Sequence, residues 1–391
     1  MGKHLVLVGG GHAHMTVLAR LRDFIQKGHR VSLVSPAPYQ YYSGMGPGML
    51  SGMYRPQEAR FHIRRMVEDA GGAFVAARAV RIDAPNRLLW LSNDARIPFD
   101  VASFNTGSHV PVAWTEGSLE RLVPVKPVLN LYLARREVHA LLKRGPLRLV
   151  VVGGGAAGVE IAGNLWRLVR DAQGDARITL VAGSRLLRGV PARASDLARQ
   201  SLVRRGLELL EGVQLKAFRG GEMLLSDGTT LACDFAFIAV GVTPSQLFVN
   251  SGIPVGHRGE LWVDRALRSP DYPFLLGGGD CIAVEGMRLA KVGVYAVRQN
   301  PILYHNSMAA LEGTPCRRFS AGSSPMLILN MGDGTGILWK KGFTVAGEMV
   351  LRLKNFVDLR FMRKFQVSGE LGESEELSGQ VGIEREGPVG T

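Results

Sequence analysis

The chain is poor in cysteine. Its 391 residues hold three, Cys233, Cys281 and Cys316. No two form a CxxC pair, which argues against a disulfide framework, a zinc ribbon and an iron–sulfur cluster; no metal site is expected. Such usage suits a reducing compartment. No stretch of 18 apolar residues occurs, so no membrane-spanning helix is expected. The apolar run at 5–8 stops at glycines and lacks the longer core and cleavage site of a signal peptide. It reads as a buried strand, and the expected location is the cytoplasm. Hydrophobic residues make up 46% and charged residues 21%, an ordinary globular composition that excludes global disorder. The length predicts two or three domains.

Glycine is abundant, with 49 residues, many in clusters. Net charge is +13, unevenly spread: residues 366–391 carry −5, so the body carries +18. A basic body attracts anions such as dinucleotides or acidic lipid. No RNA- or DNA-binding motif accompanies it, so nucleic acid is not an expected partner.

Residues 5–21, LVLVGGGHAHMTVLARL, and 149–165, LVVVGGGAAGVEIAGNL, form an internal repeat with eight identical positions. Each is an apolar strand, three glycines and a helical pattern, the arrangement that holds a dinucleotide pyrophosphate. Glycine permits the tight turn and the close approach of backbone to phosphate, and the helix N-terminus offers unpaired N–H groups. The second copy has the complete spacing: Gly153, Gly155 and Gly158. The first has Gly9 and Gly11 but His14 at the third position. His12 and His14 either touch the ligand or pack, and packing is the plainer reading. Both copies lack the acid that usually bonds the ribose. The matching strands end in Ser35 and Ala182, with Ser184, Arg185 and Arg188 following the latter. Ser35 can bond a ribose, and Arg185 can receive a 2′-phosphate, so NADH and NADPH both stay open.

Three more segments extend the pattern. They are 104–108, FNTGS, with Thr106 and Gly107; 237–244, FIAVGVTP, with Gly241; and 275–281, LLGGGDC, with Gly279 and Asp280. In this order they resemble the pyridine nucleotide–disulfide oxidoreductase superfamily over about residues 3–365. The resemblance implies an α/β fold: two Rossmann-like domains, for FAD and NAD(P)H, plus a small C-terminal α+β domain. The expected division is FAD domain 1–112 and 246–318, NAD(P)H domain 113–245, C-terminal domain 319–368 and a disordered acidic tail 369–391. Asp280 matches the acid that contacts the FAD ribityl chain. The stretch 39–52, YQYYSGMGPGMLSG, contains Pro47 but no cysteine where disulfide reductases carry their pair, so a dithiol relay cannot run there. The chain therefore looks like the type II NADH dehydrogenase-like branch. The phrase around Pro47, GGGHAH upstream and Lys126-Pro127 downstream are most similar to the flavoprotein domain found fused to selenophosphate synthetase.

That resemblance implies an FAD enzyme that takes hydride from NAD(P)H and passes electrons to a separate small-molecule acceptor, such as a quinone. Glu160 falls where the family places a glutamate near the nicotinamide; otherwise it is an acid on a helix N-terminus. Lys291 is expected beneath the flavin, and Lys126 is a weaker candidate for the same role. Residues 348–365, EMVLRLKNFVDLRFMRKF, repeat Leu353, Val357, Phe361 and Phe365 every four residues among seven basic residues counted from Lys340. This suits either docking on the first domain or peripheral contact with an anionic membrane. A monomer or homodimer is expected. The competing reading is a flavin- or nucleotide-binding sensor or partner-binding protein with little turnover.

Overall fold

Strands made of continuous Val and Leu can be buried on both faces, which is the habit of a parallel sheet. His4–Val8 and Leu147–Val152 do this, each at the middle of a five-stranded, wholly parallel sheet. The computed structural model of the chain describes residues 2–112 and 121–373.

In the first sheet the order is Leu275–Gly277, Val101–Phe104, His4–Val8, Arg30–Ser35, Ala73–Ala76. In the second it is Leu122–Pro124, Phe235–Ile238, Leu147–Val152, Ala176–Ala182, Glu208–Glu211. Both are doubly wound, with a switch point beside the glycine-bearing strand. The repeat runs well past the glycine turns. In both halves a three-stranded antiparallel meander precedes the strand that pairs beside the glycine-bearing one: Ala79–Asp83, Leu88–Leu91 and Arg96–Pro98 in one, Leu215–Arg219, Glu222–Leu225 and Thr230–Ala232 in the other.

The C-terminal unit is an antiparallel sheet, Leu327–Asn330, Gly336–Lys340 and Phe343–Gly347, followed by the helix Glu348–Phe365. The observed architecture is the α/β class expected, with an α+β end. This unit grips both halves. On the second half, Arg205 donates to Met331 O at 2.8 Å and Ser201 to Asp333 Oδ2 at 2.9 Å. On the first, Gln366 Nε2 donates to Gln57 O at 2.8 Å, and Phe365 packs edge-on to Phe61.

The helix is rotated from the face its periodicity suggested. Its buried stripe is Val350, Leu351, Lys354, Asp358, Met362 and Phe365. Leu353 and Val357 turn outward. Two charges lie inside the buried stripe because each finds partners there, described below. The start of the tail also departs from expectation. Residues 369–373 are docked: Glu370 is buried, and Glu373 pairs with Arg60 at 2.9 Å and Arg65 at 3.2 Å. Two buried or half-buried cations outweigh the entropy of a polar tail at this point. The rest of the tail lies outside the described residues.

Phe365→Ala removes a buried aromatic that joins the helix to the first half. It should cost about 3 kcal/mol in chemical denaturation; a loss below 1 kcal/mol would show that the helix is held by its polar contacts instead.

Candidate active site

The two glycine turns solve one steric problem in different ways. In the second, the helix Ala156–Asp171 starts directly at Gly155. A side chain on Gly158 would collide with Gly153 O, so the small residue is required. In the first, residues His12–His14 form a 3-10 turn before the helix Met15–Ala19. The tighter turn makes room for His14, whose Nδ1 meets Gly9 O at 2.7 Å and whose Nε2 meets Ser103 Oγ at 2.9 Å. Burial pushes its imidazole down to about 4, so it is neutral. His14 is a packing residue.

Both turns can take a dinucleotide. Gly155, Ala156 and Ala157 are exposed, and Gly155 has no side-chain cap, so the N–H groups of a 16-residue helix face open space. A side chain added at Gly155 meets no atom within 4 Å. At the first turn, Asn105 Oδ1 accepts from Ala13 N–H at 3.0 Å and its Nδ2 donates to Gly278 O at 2.5 Å. Gly11 and Gly279 lie against this amide, and a side chain on either would collide with it. A side chain at Gly107 would meet nothing. His12 Nε2 is buried without a partner, its ring edge-on to Tyr42 at 5.2 Å and near Phe361. An open backbone cradle and an unsatisfied buried nitrogen fit an FAD held along Gly9, Gly11 and Thr106–Gly107 toward Asp280. Ser35 donates to Ala37 O at 3.0 Å, so it can meet a ribose only as an acceptor. Arg185 and Arg188 are exposed beyond the second sheet.

Three links bring the two halves together. His109 pairs with Thr243 in a β-bridge, two residues from Gly241. Lys126 donates to Asp280 Oδ2 and Ser108 Oγ, both at 2.8 Å, and Ser108 reaches the same Asp280 oxygen at 2.7 Å. Burial raises the Asp280 carboxyl's proton affinity, but Lys126 and Ser108 outweigh it and hold the group below the usual range. The third link is Ser51 to Asn164, at 2.8 Å.

The lysines therefore differ. Lys126 reaches across from the second half to Asp280 and Ser108 of the first. The Lys291 amine is engaged by Asp280 O and Ile282 O at 2.9 Å and by Glu260 at 3.1 Å, so it braces the Asp280 turn from behind. A third lysine, Lys354, is buried on the inner side of the C-terminal helix. It donates to Gly44 O and Asp358 Oδ2, each at 2.7 Å. Tyr42 donates to Asp358 at 3.3 Å, and Tyr54 bonds Asn355. Their one visible trace in the sequence is an i,i+4 Lys–Asp pair in line with Leu351 and Met362. Glu160 lies next to this patch, its Oε1 accepting from Asn330 N–H at 2.8 Å. Burial pushes its carboxyl up to about 7, against the pull of Lys354 and of that N–H. Pro47 is buried in the short helix Gly46–Leu50 below. A cavity of about 930 Å³ opens at the opposite ends of the second sheet's strands, beside Arg148 and Asp234. It is far from both turns, and ligands of such sheets bind at the carboxyl ends of strands.

Two dinucleotide turns, on halves joined through Lys126–Asp280 and Ser51–Asn164, define a flavoprotein oxidoreductase that uses FAD and NAD(P)H. The chain belongs to the pyridine nucleotide-disulphide oxidoreductase family, whose model matches residues 3–309. It is similar to a probable ferredoxin reductase of Castellaniella defragrans, at 26% identity over 80% of this chain and 76% of that protein. It also resembles an internal alternative NAD(P)H-ubiquinone oxidoreductase of Arabidopsis thaliana, at 25% identity over 48% of this chain and 40% of that one. Its fold superposes on the sulfide:quinone oxidoreductase of Aquifex aeolicus with a TM-score of 0.79 at 16% identity, covering 95% and 93% of the two chains. The NDH2 of Plasmodium falciparum in complex with NADH gives 0.78 at 13%, covering 95% and 96%.

Gly155→Val should leave folding and FAD content intact and abolish flavin bleaching by NAD(P)H under anaerobic conditions, since the new side chain enters ligand space alone. Gly11→Val should give colourless, less stable protein, because it strikes Asn105 as well. Loss of FAD in the first variant and retention in the second would reverse the two assignments.

Glu160 gives a stability test with a definite sign. An unfolded glutamate ionises near 4.5, the folded one near 7. Between these values the folded state holds a proton the unfolded state has lost, so this group's contribution falls as pH rises through that window. Glu160→Gln should therefore raise stability by about 1–3 kcal/mol at pH 8 and leave it nearly unchanged at pH 4. An equal gain at both pH values would contradict the assignment.

Proposed function

We propose that the chain is an NAD(P)H:quinone reductase that works without a redox-active disulfide, at the surface of an anionic membrane. The observation that carries this reading is the patch formed by Tyr42, Tyr54, Glu160, Lys354 and Asp358, which holds protons and contains no sulfur nucleophile. Burial pushes the Cys233 thiol up to about 12 and raises those of Cys281 and Cys316, so none is a ready thiolate.

Reducing a quinone to its quinol takes two electrons and two protons. NAD(P)H delivers both electrons and one proton as a hydride equivalent. FAD held at the first turn supplies two-electron exchange between donor and acceptor. The second proton is Glu160's to give, since its carboxyl is half protonated near neutral pH. Lys354 keeps one N–H beyond those given to Gly44 O and Asp358, a donor for an acceptor's oxygen as it gathers charge, and Tyr42 supports it by donating to Asp358. Exposed backbone N–H groups at Gly155–Ala157 orient the pyrophosphate of NAD(P)H.

The helix carrying Lys354 and Asp358 inward presents an apolar edge outward. Met349 is 71% exposed, Phe356 62%, Val357 44% and Leu353 40%, with Phe343 nearby in sequence at 64%. Arg352, Arg360, Arg363 and Lys364 flank them, and all are exposed. A shallow notch between Phe356, Leu359, Arg360 and Arg363 joins apolar and cationic groups. That combination favours an anionic lipid surface, from which a hydrophobic quinone can reach the inner face of the same helix. No helix among the described residues is long and apolar enough to cross a membrane.

Purified protein should be yellow, bleach with NADH or NADPH, and reduce quinone. Glu160→Gln should slow quinone turnover roughly 10–100-fold. Met349→Asp with Phe356→Asp should lose sedimentation with anionic vesicles while the melting temperature holds. Bleaching without any quinone turnover, and turnover with an iron–sulfur protein instead, would overturn the acceptor.

A further inference from the structure

Three chain segments, one from each half and one from the C-terminal unit, meet at a single buried point. Asn164 projects from the helix Ala156–Asp171. Its Oδ1 accepts from the Ser51 hydroxyl at 2.8 Å and from Asn330 Nδ2 at 3.2 Å. Its Nδ2 donates to Glu160 O at 2.8 Å and Asn330 O at 3.1 Å. Asn330 Oδ1 accepts from Gly332 N–H at 3.0 Å, and Asn330 N–H donates to Glu160 Oε1 at 2.8 Å. Ser51, Asn164 and Asn330 are all buried.

Every hydrogen-bonding position of the Asn164 amide is used, so the amide has a single satisfactory orientation. The backbone around it has no slack. A side chain on Gly163 would collide with Met331 O, and one on Gly332 with Gly163 O, so helix and turn touch backbone to backbone. Arg205 holds the same Met331 carbonyl from the other side. Glu160 is thus fixed twice through this cluster, at its own carbonyl and at its carboxylate.

We propose that Asn164 and Asn330 are positioning residues for Glu160. The cluster holds the carboxylate on the Asn330 N–H, at the seam between the nucleotide turn and the Tyr42–Lys354–Asp358 patch, and so sets the pH at which Glu160 releases its proton. This rests on the reading of Glu160 as the group that supplies the second proton. The charged and titratable groups facing Glu160 are Lys354 and Asp358 from the C-terminal helix and Tyr42 and Tyr54 from the first half. Lys354 favours the carboxylate and Asp358 opposes it. Among the described residues the N–H of Asn330 is the one neutral donor on the carboxylate, and it is in place only while the turn is pinned. Loosening the turn should leave Glu160 holding its proton to higher pH.

The test uses FAD-loaded protein carrying Asn164→Ala, Asn330→Ala or Ser51→Ala, each with and without Glu160→Gln. Two readouts are followed from pH 4 to 9: the rate of quinone reduction, and the Glu160-dependent part of the melting temperature. The asparagine variants should move both midpoints upward by half a unit or more, roughly a threefold gain in proton affinity. Ser51→Ala should move them less, and it substitutes for Asn164→Ala if that variant does not fold. Every Glu160→Gln background should be flat. A uniform drop in melting temperature with both midpoints unmoved would reduce the cluster to a structural brace and overturn the proposal. Shifted melting midpoints in a protein that reduces no quinone would instead overturn the quinone reading and leave the positioning role standing. A wild type whose melting temperature has no Glu160-dependent part would overturn both.

Discussion

The amide of Asn105 occupies the one place where three strand ends of the first sheet converge, and the nucleotide cradle depends on it. Its oxygen satisfies Ala13 N–H, its nitrogen satisfies Gly278 O, and its bulk fills the space beside Gly11 and Gly279. A buried amide bonded at both ends leaves no polar group unsatisfied and no void to collapse into. Because it holds the Gly9–Gly11 turn against the Gly278–Asp280 turn, the two turns keep a constant separation. Asp280 then meets Lys126, and through Lys126 the second half.

Two nucleotide sites serve one reaction only if they are held face to face. Short crossings at His109–Thr243 and Lys126–Asp280 bring the halves together, and the C-terminal unit keeps them there. Its sheet turn is pressed against Gly163, and its helix places Lys354 and Asp358 against Gly44 and Tyr42. Burying a charge pair is costly unless its remaining donors and acceptors are met. Here Lys354 has a carbonyl as well as its carboxylate, and Asp358 has a phenol, so the pair lies inside an otherwise apolar stripe without an unmatched charge.

The same helix faces two environments. One side carries charges into the protein; the other carries Met349 and Phe356 outward among arginines. Three or four residues per turn allow both, and neither side is wide enough to account for the whole pattern.

Much of this was legible in the sequence. The strand–glycine–helix repeat at 5–21 and 149–165 determined two parallel-sheet halves, because continuous apolar strands and glycine turns have few other uses. The order of the later glycine segments placed Asp280 and Gly241 at strand ends, and the missing cysteines near Pro47 excluded a dithiol relay. Three features were not legible. His14 at a glycine position looked like a departure, yet a 3-10 turn absorbs it, and local sequence does not choose between 3-10 and α over three residues. Lys291 and Lys354 are both lysines in apolar company; only packing decides that one braces the Asp280 turn and the other is buried against Gly44 O and Asp358. The helical period of residues 348–365 left its buried face uncertain by about one residue, because hydrophobicity alone scores Lys354 and Asp358 as solvent-facing. Their burial depends on Gly44 O and Tyr42, about 310 residues distant in sequence. Local chemistry determined the turns and the ligands they suit. Long-range hydrogen bonds, formed only once three units pack together, decided which acids and bases share the site.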